Sequence, residues 1–135
     1  MRIFLDANIL FSGAQDASPM QQMLARLMKS GVLITSDYAW MEAERNIVAK
    51  RPDWLTGLRV LRAKVSMTVD IADCGEVKLD AADRPILGAA IAARCTHLLT
   101  GDRRHFRDLF GKTIGGVKIV SARMLAEDLW GKPHA

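Results

Sequence analysis

Two aspartates stand where short apolar runs end, and their positions suggest a chemical site. Asp6 follows the run Arg2-Ile3-Phe4-Leu5, and Asp102 follows the run Leu98-Leu99-Thr100-Gly101. In open parallel α/β sheets, ligands bind beyond the carboxyl ends of the strands, at the point where the strand order reverses. A single aspartate after a strand is more often a turn residue, but two at equivalent positions favour one shared crevice.

Three further acids are candidates for the same crevice. Asp83 lies in the first turn of a predicted helix, where the helix dipole favours an anion, although it would equally suit a capping arrangement with Asp80. Glu42 and Glu44 lie on an earlier predicted helix and point about 200° apart, so only one of them can face a given crevice. Helical periodicity leaves the choice between Glu42 and Glu44 open.

The elements that must position these acids alternate between strands and helices. Apolar runs predict strands at 2–5, 32–35, 65–69, 98–100 and 117–120, and the polar stretch after the first strand predicts a loop. Helical spacing and capping residues predict helices at 19–30, 37–50, 54–64, 80–94 and 121–130, the fourth of them capped by Asp80. This alternation predicts an α/β fold whose parallel sheet is covered on both faces.

The length and composition of the chain predict a single domain over residues 1–135. Its 135 residues are 50% hydrophobic, which is enough for one core and too short for two ordinary domains. No apolar stretch reaches the roughly 20 residues that span a membrane, and Asp6 stands where a signal peptide would be apolar, so we expect a cytoplasmic protein. Cys74 and Cys95 match no metal-binding spacing and are expected to be reduced thiols. The net charge of +4 suits a polyanionic partner.

Four sequence blocks together resemble the PIN-domain family. They are Phe4-Leu5-Asp6-Ala7-Asn8-Ile9-Leu10, Glu42-Ala43-Glu44-Arg45-Asn46-Ile47, Asp83-Arg84-Pro85-Ile86-Leu87-Gly88-Ala89-Ala90 and Leu98-Leu99-Thr100-Gly101-Asp102-Arg103-Arg104-His105-Phe106. Each block is weak evidence alone, but the four stand in the family's order and spacing, between Arg2 and about Val120. The block with Thr-Gly-Asp is similar to bacterial PIN proteins regarded as toxin components, which are related to the VapC ribonucleases.

The resemblance implies a three-layer α/β/α fold with a central, mostly parallel sheet of about five strands. It also implies that Asp6, Glu42, Asp83 and Asp102 form the family's acidic site and bind Mg²⁺ or Mn²⁺. Glu42 is favoured over Glu44 because it lies six residues after Ser36, as the family's glutamate usually does. The implied activity is endonucleolytic cleavage of RNA that leaves a 5′-phosphate and a 3′-hydroxyl. A toxin of this kind would have a small antitoxin partner and would commonly form a homodimer.

An acidic site of this kind suits phosphodiester hydrolysis. Mg²⁺ and Mn²⁺ are hard cations that take oxygen ligands. One ion would activate a water, and a second, roughly 4 Å away, would stabilise the leaving oxygen. Asn8 and Thr100 could orient Asp6 and the metal's waters through hydrogen bonds. Because acids repel RNA, basic residues near them in sequence are predicted to bind flanking phosphates: Arg84, Arg103 and Arg104, with Arg45 as a further candidate.

Other functions stay open on the sequence. His97 and His105 could serve acid–base catalysis, but a metal-activated water makes this unnecessary, and both are interpreted as structural. A phosphatase with an aspartate nucleophile would need a second Asp where Asn8 stands. A phospho-acceptor receiver domain would need paired acids after the first strand and partners for Asp70. A PIN fold that binds RNA without cutting it is disfavoured, because all four acidic positions are filled.

Overall fold

A six-stranded sheet forms the centre of the protein. The structure, a computed structural model, describes residues 1–132, so the end of the predicted domain 1–135 lies outside the described residues. The strands are β1 (Arg2–Leu5), β2 (Val32–Ser36), β3 (Ser66–Thr68), β4 (His97–Leu99), β5 (Thr113–Ile114) and β6 (Val117–Val120). Their order is β3-β2-β1-β4-β6-β5, and every neighbouring pair is parallel except β5 with β6. The α/β fold with a mostly parallel sheet is confirmed.

Helices connect the strands and cover the sheet. They are α1 (Ala7–Ala14), α2 (Pro19–Leu27), α3 (Asp37–Lys50), α4 (Leu55–Arg62), α5 (Arg84–Ala92) and α6 (Ala122–Trp130), with short 3₁₀ turns at Pro52–Trp54 and Arg107–Leu109. Crossovers between parallel strands are right-handed, so α1 to α4, which lead from β1 to β3, cover one face, and α5, which leads back to β4, covers the other. Within residues 1–132, no helix is long and apolar enough to cross a membrane.

The central strand β1 sets the place of the candidate site. Ile3, Phe4 and Leu5 on this strand are fully buried, as expected for a strand covered on both faces. The strand order reverses here, because the chain builds outward from β1 to β3 and then returns to β4 on the other side of β1. The register pairs Leu5 with Leu99, so the next residues, Asp6 and Thr100, lie side by side at the carboxyl edge of the sheet. This edge is where α/β proteins bind ligands.

Helix α1 occupies a stretch that was predicted as a loop, and that prediction is wrong. Asn8, Ser12 and Gly13 are turn-forming residues on local grounds. However, the Asp6 side chain accepts a hydrogen bond from the Ala7 backbone N–H and caps the helix. One face of α1 is buried, through Ala7, Ile9, Leu10, Gly13 and Ala14. The cap and this burial together outweigh the weak local preference for a turn.

The edge strand β5 was not predicted either. It pairs antiparallel with β6 through the register of Ile114 with Val117, and the two strands are joined at Gly115 and Gly116. Both glycines have positive φ angles, 56° and 83°, which suit a tight hairpin turn. A strand of two residues is too short to produce a recognisable alternation in the sequence.

Helix α5 begins four residues later than predicted, and Asp80 is not its cap. The Asp83 backbone N–H donates to the Asp80 carbonyl at 2.9 Å, which closes a turn before the helix. Asp83 therefore takes the N-cap position, but its side chain makes no capping hydrogen bond. The Asp83 carboxylate is thus free for other contacts.

We predict that Gly57→Ala destabilises the protein although alanine is the better helix former. Gly57 lies in α4 where this helix crosses α1, and a Cβ there would be 1.8 Å from the Ala14 carbonyl oxygen. Helix propensity alone would favour alanine by about 1 kcal/mol, whereas the clash should cost about 1–3 kcal/mol or more. Urea unfolding measures the difference, with exposed Thr56→Ala as the neighbouring control. Unchanged or increased stability of Gly57→Ala would contradict the close approach of the two helices.

Candidate active site

Asp6 is the most deeply placed acid of the site. It directly follows β1 and is only 6% exposed. One carboxylate oxygen accepts from the Ala7 N–H at 2.7 Å, and the other accepts from the Thr100 hydroxyl, also at 2.7 Å. Burial raises the pKa of Asp6 from 3.8 to about 6, although both hydrogen bonds favour the ionised form. The charges of Glu42 and Asp102 raise this pKa further, which places those acids nearby.

Thr100 and Asn8 fix the turn that carries Asp102. The Thr100 hydroxyl donates to Asp6 and accepts from the Asp102 backbone N–H at 3.1 Å. The Asn8 side-chain oxygen accepts from the Gly101 N–H at 2.9 Å, so α1 is tied to the same turn. The Thr100 hydroxyl therefore contacts Asp6 directly, whereas Asn8 contacts the backbone of the turn and not Asp6.

Asp102 and His105 form a close pair. One Asp102 oxygen accepts from the His105 backbone N–H at 3.1 Å, and the other lies 2.7 Å from His105 Nδ1. The same Nδ1 lies 3.3 Å from an Asp83 oxygen, and Nε2 lies 3.9 Å from an Asp80 oxygen. The imidazole therefore lies among three carboxylates. Asp83 and then Asp102 raise the pKa of His105 above its usual 6.5.

Asp83 has an oxygen without a hydrogen bond. Its Oδ2 is the oxygen that lies 3.3 Å from His105 Nδ1, and it is buried without a hydrogen bond of good geometry among residues 1–132. Burial raises the pKa of Asp83, and the negative charges of Asp102, Asp80 and Glu42 act in the same direction, while His105 opposes them. The Tyr38 hydroxyl, on α3, donates to the Ala82 carbonyl at 3.1 Å and holds the turn before Asp83 in place.

The predicted acids Asp6, Glu42, Asp83 and Asp102 line one cleft of about 790 Å³, which we call the acidic cleft. One wall of the cleft is formed by residues of α3 that recur at helical spacing and so share one face of the helix. They are Tyr38, Met41, Glu42, Arg45, Asn46 and Lys50. Glu44 is not in this wall, because it points about 200° away from Glu42 on the helix. The remaining lining residues are Ala7, Asn8, Phe11, Ser12, Ala82 and His105.

The predicted phosphate-binding arginines are placed differently from one another. Arg84 donates to the carbonyls of Val77 and Gly75 at 3.0 and 2.7 Å, so its guanidinium holds a loop and does not line the acidic cleft. Arg103 and Arg104 are exposed on the turn after Asp102. The fourth candidate, Arg45, lines the cleft itself.

Sequence reasoning missed His105 as a site residue. Its only signal is its position three residues after Asp102, which lets its backbone and its ring meet the same carboxylate. His97, by contrast, lies on β4 with Nδ1 2.8 Å from the Thr96 hydroxyl, and burial lowers its pKa. His97 does not line the cleft, which suits the structural role expected for it.

The residues of the acidic cleft fit a hard divalent cation. Carboxylate oxygens are the ligands that Mg²⁺ and Mn²⁺ prefer. The buried Asp83 Oδ2 lies 3.3 Å from His105 Nδ1 and makes no hydrogen bond among residues 1–132, and both Asp6 and Asp83 have raised pKa values that a nearby cation would lower. Asp80, Asp83 and His105 offer ligand atoms that all lie within 4.8 Å of one another, and this group shares only Asp83 with the four predicted acids.

Solved structures share this fold. No family model and no curated protein matches the sequence. A chain of VapBC2 from Rickettsia felis, solved with a DNA fragment from the promoter, is 18% identical with a TM-score of 0.67, over 90% of this chain and 98% of that one. VapBC-1 from nontypeable Haemophilus influenzae is 12% identical with a TM-score of 0.61, over the same shares.

A third similar structure is VapC20 of Mycobacterium tuberculosis, a toxin that cleaves the sarcin–ricin loop. It is 13% identical with a TM-score of 0.57, over 83% of this chain and 98% of that one. The chain thus has the fold of the VapC toxins, and the resemblance to PIN domains is confirmed at the level of the fold.

Proposed function

We propose that this protein is a divalent-metal-dependent endoribonuclease of the VapC type. The observation that carries the proposal is the convergence of Asp6, Glu42, Asp83 and Asp102 on one cleft at the point where the strand order reverses. These acids come from separate segments of the chain, so local turn formation does not explain their meeting. VapC20, which has the same fold, is a toxin that cleaves the sarcin–ricin loop, and this supports RNA as the substrate class.

The four carboxylates would hold Mg²⁺ or Mn²⁺ in the cleft. When bound, such a cation lowers the pKa of water and neutralises charge on a phosphodiester. Thr100 keeps Asp6 in one orientation and holds the backbone of Asp102, so the two acids are positioned before the cation arrives. Tyr38 does the same for the turn that precedes Asp83.

His105 would act as a positioning residue in this site. Its contacts with Asp102 and Asp83 draw together two carboxylates that would otherwise repel each other. Arg45 and Lys50 are the basic residues that line the cleft, and they would contact the substrate phosphates next to the scissile bond. Arg103 and Arg104 remain proposed contacts for phosphates further along the strand. Arg84 has two of its guanidinium nitrogens occupied by loop carbonyls and is the weakest of the proposed phosphate ligands.

We also propose an antitoxin partner that blocks the acidic cleft. Two of the similar structures are of VapBC proteins, one of them solved with DNA from the promoter. The homodimer expected from the sequence stays a prediction. The competing function is an RNA-binding protein that does not cut, and the cleavage experiment below separates the two.

We predict that Asp6→Asn, Glu42→Gln, Asp83→Asn and Asp102→Asn each lower the rate of RNA cleavage by more than about 100-fold, because each removes a charged ligand and little volume. Glu44→Gln is the matched control and should cleave like the wild type. The assay follows a labelled RNA with Mn²⁺ or Mg²⁺ and again with EDTA, which should stop the reaction. Activity that resists EDTA, or loss of activity in Glu44→Gln alone, would contradict the proposed metal site.

A second prediction concerns pH and follows from the raised pKa of Asp6, about 6 against 3.8. The folded protein binds this proton more tightly than the unfolded chain, so the stabilisation it gives is complete below pH 3.8 and is lost as pH rises through about 6. In EDTA, the melting temperature of the wild type should therefore fall relative to Asp6→Asn between pH 4 and pH 7. Mn²⁺ should reverse this loss in the wild type only, and its affinity should weaken below pH 6.

Melting curves of both proteins at matched ionic strength, with and without Mn²⁺, measure these differences. A gap between the two melting temperatures that is the same at every pH would show that Asp6 titrates at its ordinary value. A wild type without any response to millimolar Mn²⁺ would count against cation binding at the cleft.

A further inference from the structure

A second groove lies directly beside the acidic cleft. It has a volume of about 760 Å³ and shares one residue, His105, with the cleft. Four basic side chains line it: Lys78, Arg104, Arg107 and Lys112. We call it the basic groove and propose that it binds the backbone phosphates of single-stranded RNA next to the cleavage site. This inference rests on the proposed function and extends it to the path of the substrate.

The charges of the basic groove are available to a ligand. All four cationic residues are exposed. In the described part of the chain none of them pairs with a carboxylate, whereas Arg51, Lys118 and Arg123 elsewhere on the surface each do. The groove also contains Glu76 and Asp108, so its lining carries a net excess of two positive charges. Cations that line a concave surface attract a polyanion.

The walls of the groove are held in place by buried contacts. Arg84 binds the carbonyls of Gly75 and Val77, and this fixes the loop that leads to Lys78. On the other side, Phe106 is fully buried and anchors the segment that carries Arg104 and Arg107. This gives Arg84 a role that sequence analysis did not foresee, because it shapes the basic groove without lining it.

RNA is the ligand that the position of the groove favours. The acidic cleft would repel a polyanion in the absence of a cation, so binding energy for RNA must come from residues outside it. The basic groove is adjacent to Asp102 through His105, so a strand with one phosphodiester in the cleft would place its neighbouring phosphates here. The contacts involve charge and no base edges, so we expect little sequence preference from this groove.

The test measures RNA binding without cleavage. A fluorescent single-stranded oligouridine is titrated with full-length protein in EDTA, and the affinity is followed by anisotropy over a series of KCl concentrations. We compare the wild type with Arg107→Ala/Lys112→Ala. The control is Arg59→Ala/Lys64→Ala, which removes the same two charges from exposed positions on and just after α4. Melting temperatures confirm that the variants are folded.

The groove variant should lose about 1.4 units of the log–log salt slope, since each phosphate contact on a single strand contributes about 0.7. The control should lose much less. An unchanged slope in the groove variant, or an equal loss in both variants, would overturn the proposal. If the groove variant binds RNA like the wild type but no longer binds an oligoaspartate peptide of equal charge, the groove is a protein-docking surface and the assignment to RNA is wrong.

Failure of this proposal is distinct from failure of the proposed function. If the wild type binds no RNA at low salt in EDTA, the groove proposal fails, and cleavage with Mn²⁺ decides the proposed function separately. If the groove variant loses the predicted slope but the wild type never cleaves RNA with Mn²⁺, the groove stands and the nuclease activity does not. If cleavage occurs and the slope is unchanged, the nuclease activity stands and the RNA follows another path.

Discussion

The burial of one carboxylate, Asp6, at the end of the central strand constrains the rest of the site. An ionised group in this position is unfavourable unless hydrogen bonds and a cation compensate for the lost hydration. The hydrogen bonds come from the Ala7 N–H, which also starts α1, and from Thr100, which also holds the backbone of Asp102. The start of a helix and the shape of the turn after β4 therefore both depend on the same side chain.

Charge is separated over short distances around this point. The acidic cleft collects four carboxylates with His105 between two of them, and the cations of the basic groove lie just beyond that histidine. Such an arrangement would suit the proposed reaction on RNA. The reacting phosphodiester would approach carboxylates, while the neighbouring phosphates of the strand would be bound by basic side chains. The overall charge of +4 gives no hint of this separation, since it averages over both regions.

Much of the fold could be predicted from the sequence, for physical reasons that differ between its strands and helices. The apolar run before Asp6 and the alternation of strands and helices identify a buried parallel sheet, and strand ends in such a sheet share one edge. Helix α1 was not predicted because the packing of Gly13 against Leu24 of α2 is a tertiary contact that local turn propensity does not contain. Strand β5 was not predicted because two residues are too few to show the alternation of apolar and polar residues that marks a strand.

The candidate site shows the same division. Asp6 and Asp102 follow from strand ends, whereas the choice of Glu42 over Glu44 depended on a family resemblance, because helix periodicity alone did not decide which side of α3 faces the cleft. The contacts of His105 with the carboxylates and the hydrogen bonds of the Arg84 guanidinium to loop carbonyls could be identified only from the structure. Both residues lie in or beside irregular segments whose path has no sequence pattern.

The most direct test of the central claim is an anomalous diffraction map from crystals grown with MnCl₂. If the acidic cleft is a metal site, a manganese peak should lie within bonding distance of oxygens from at least two of Asp6, Asp83 and Asp102. Asp83 Oδ2, which has no hydrogen bond among residues 1–132, should be among the ligands. A well-ordered cleft without a peak at millimolar Mn²⁺, or peaks confined to exposed acids elsewhere on the surface, would contradict the claim that these carboxylates are assembled to bind a cation.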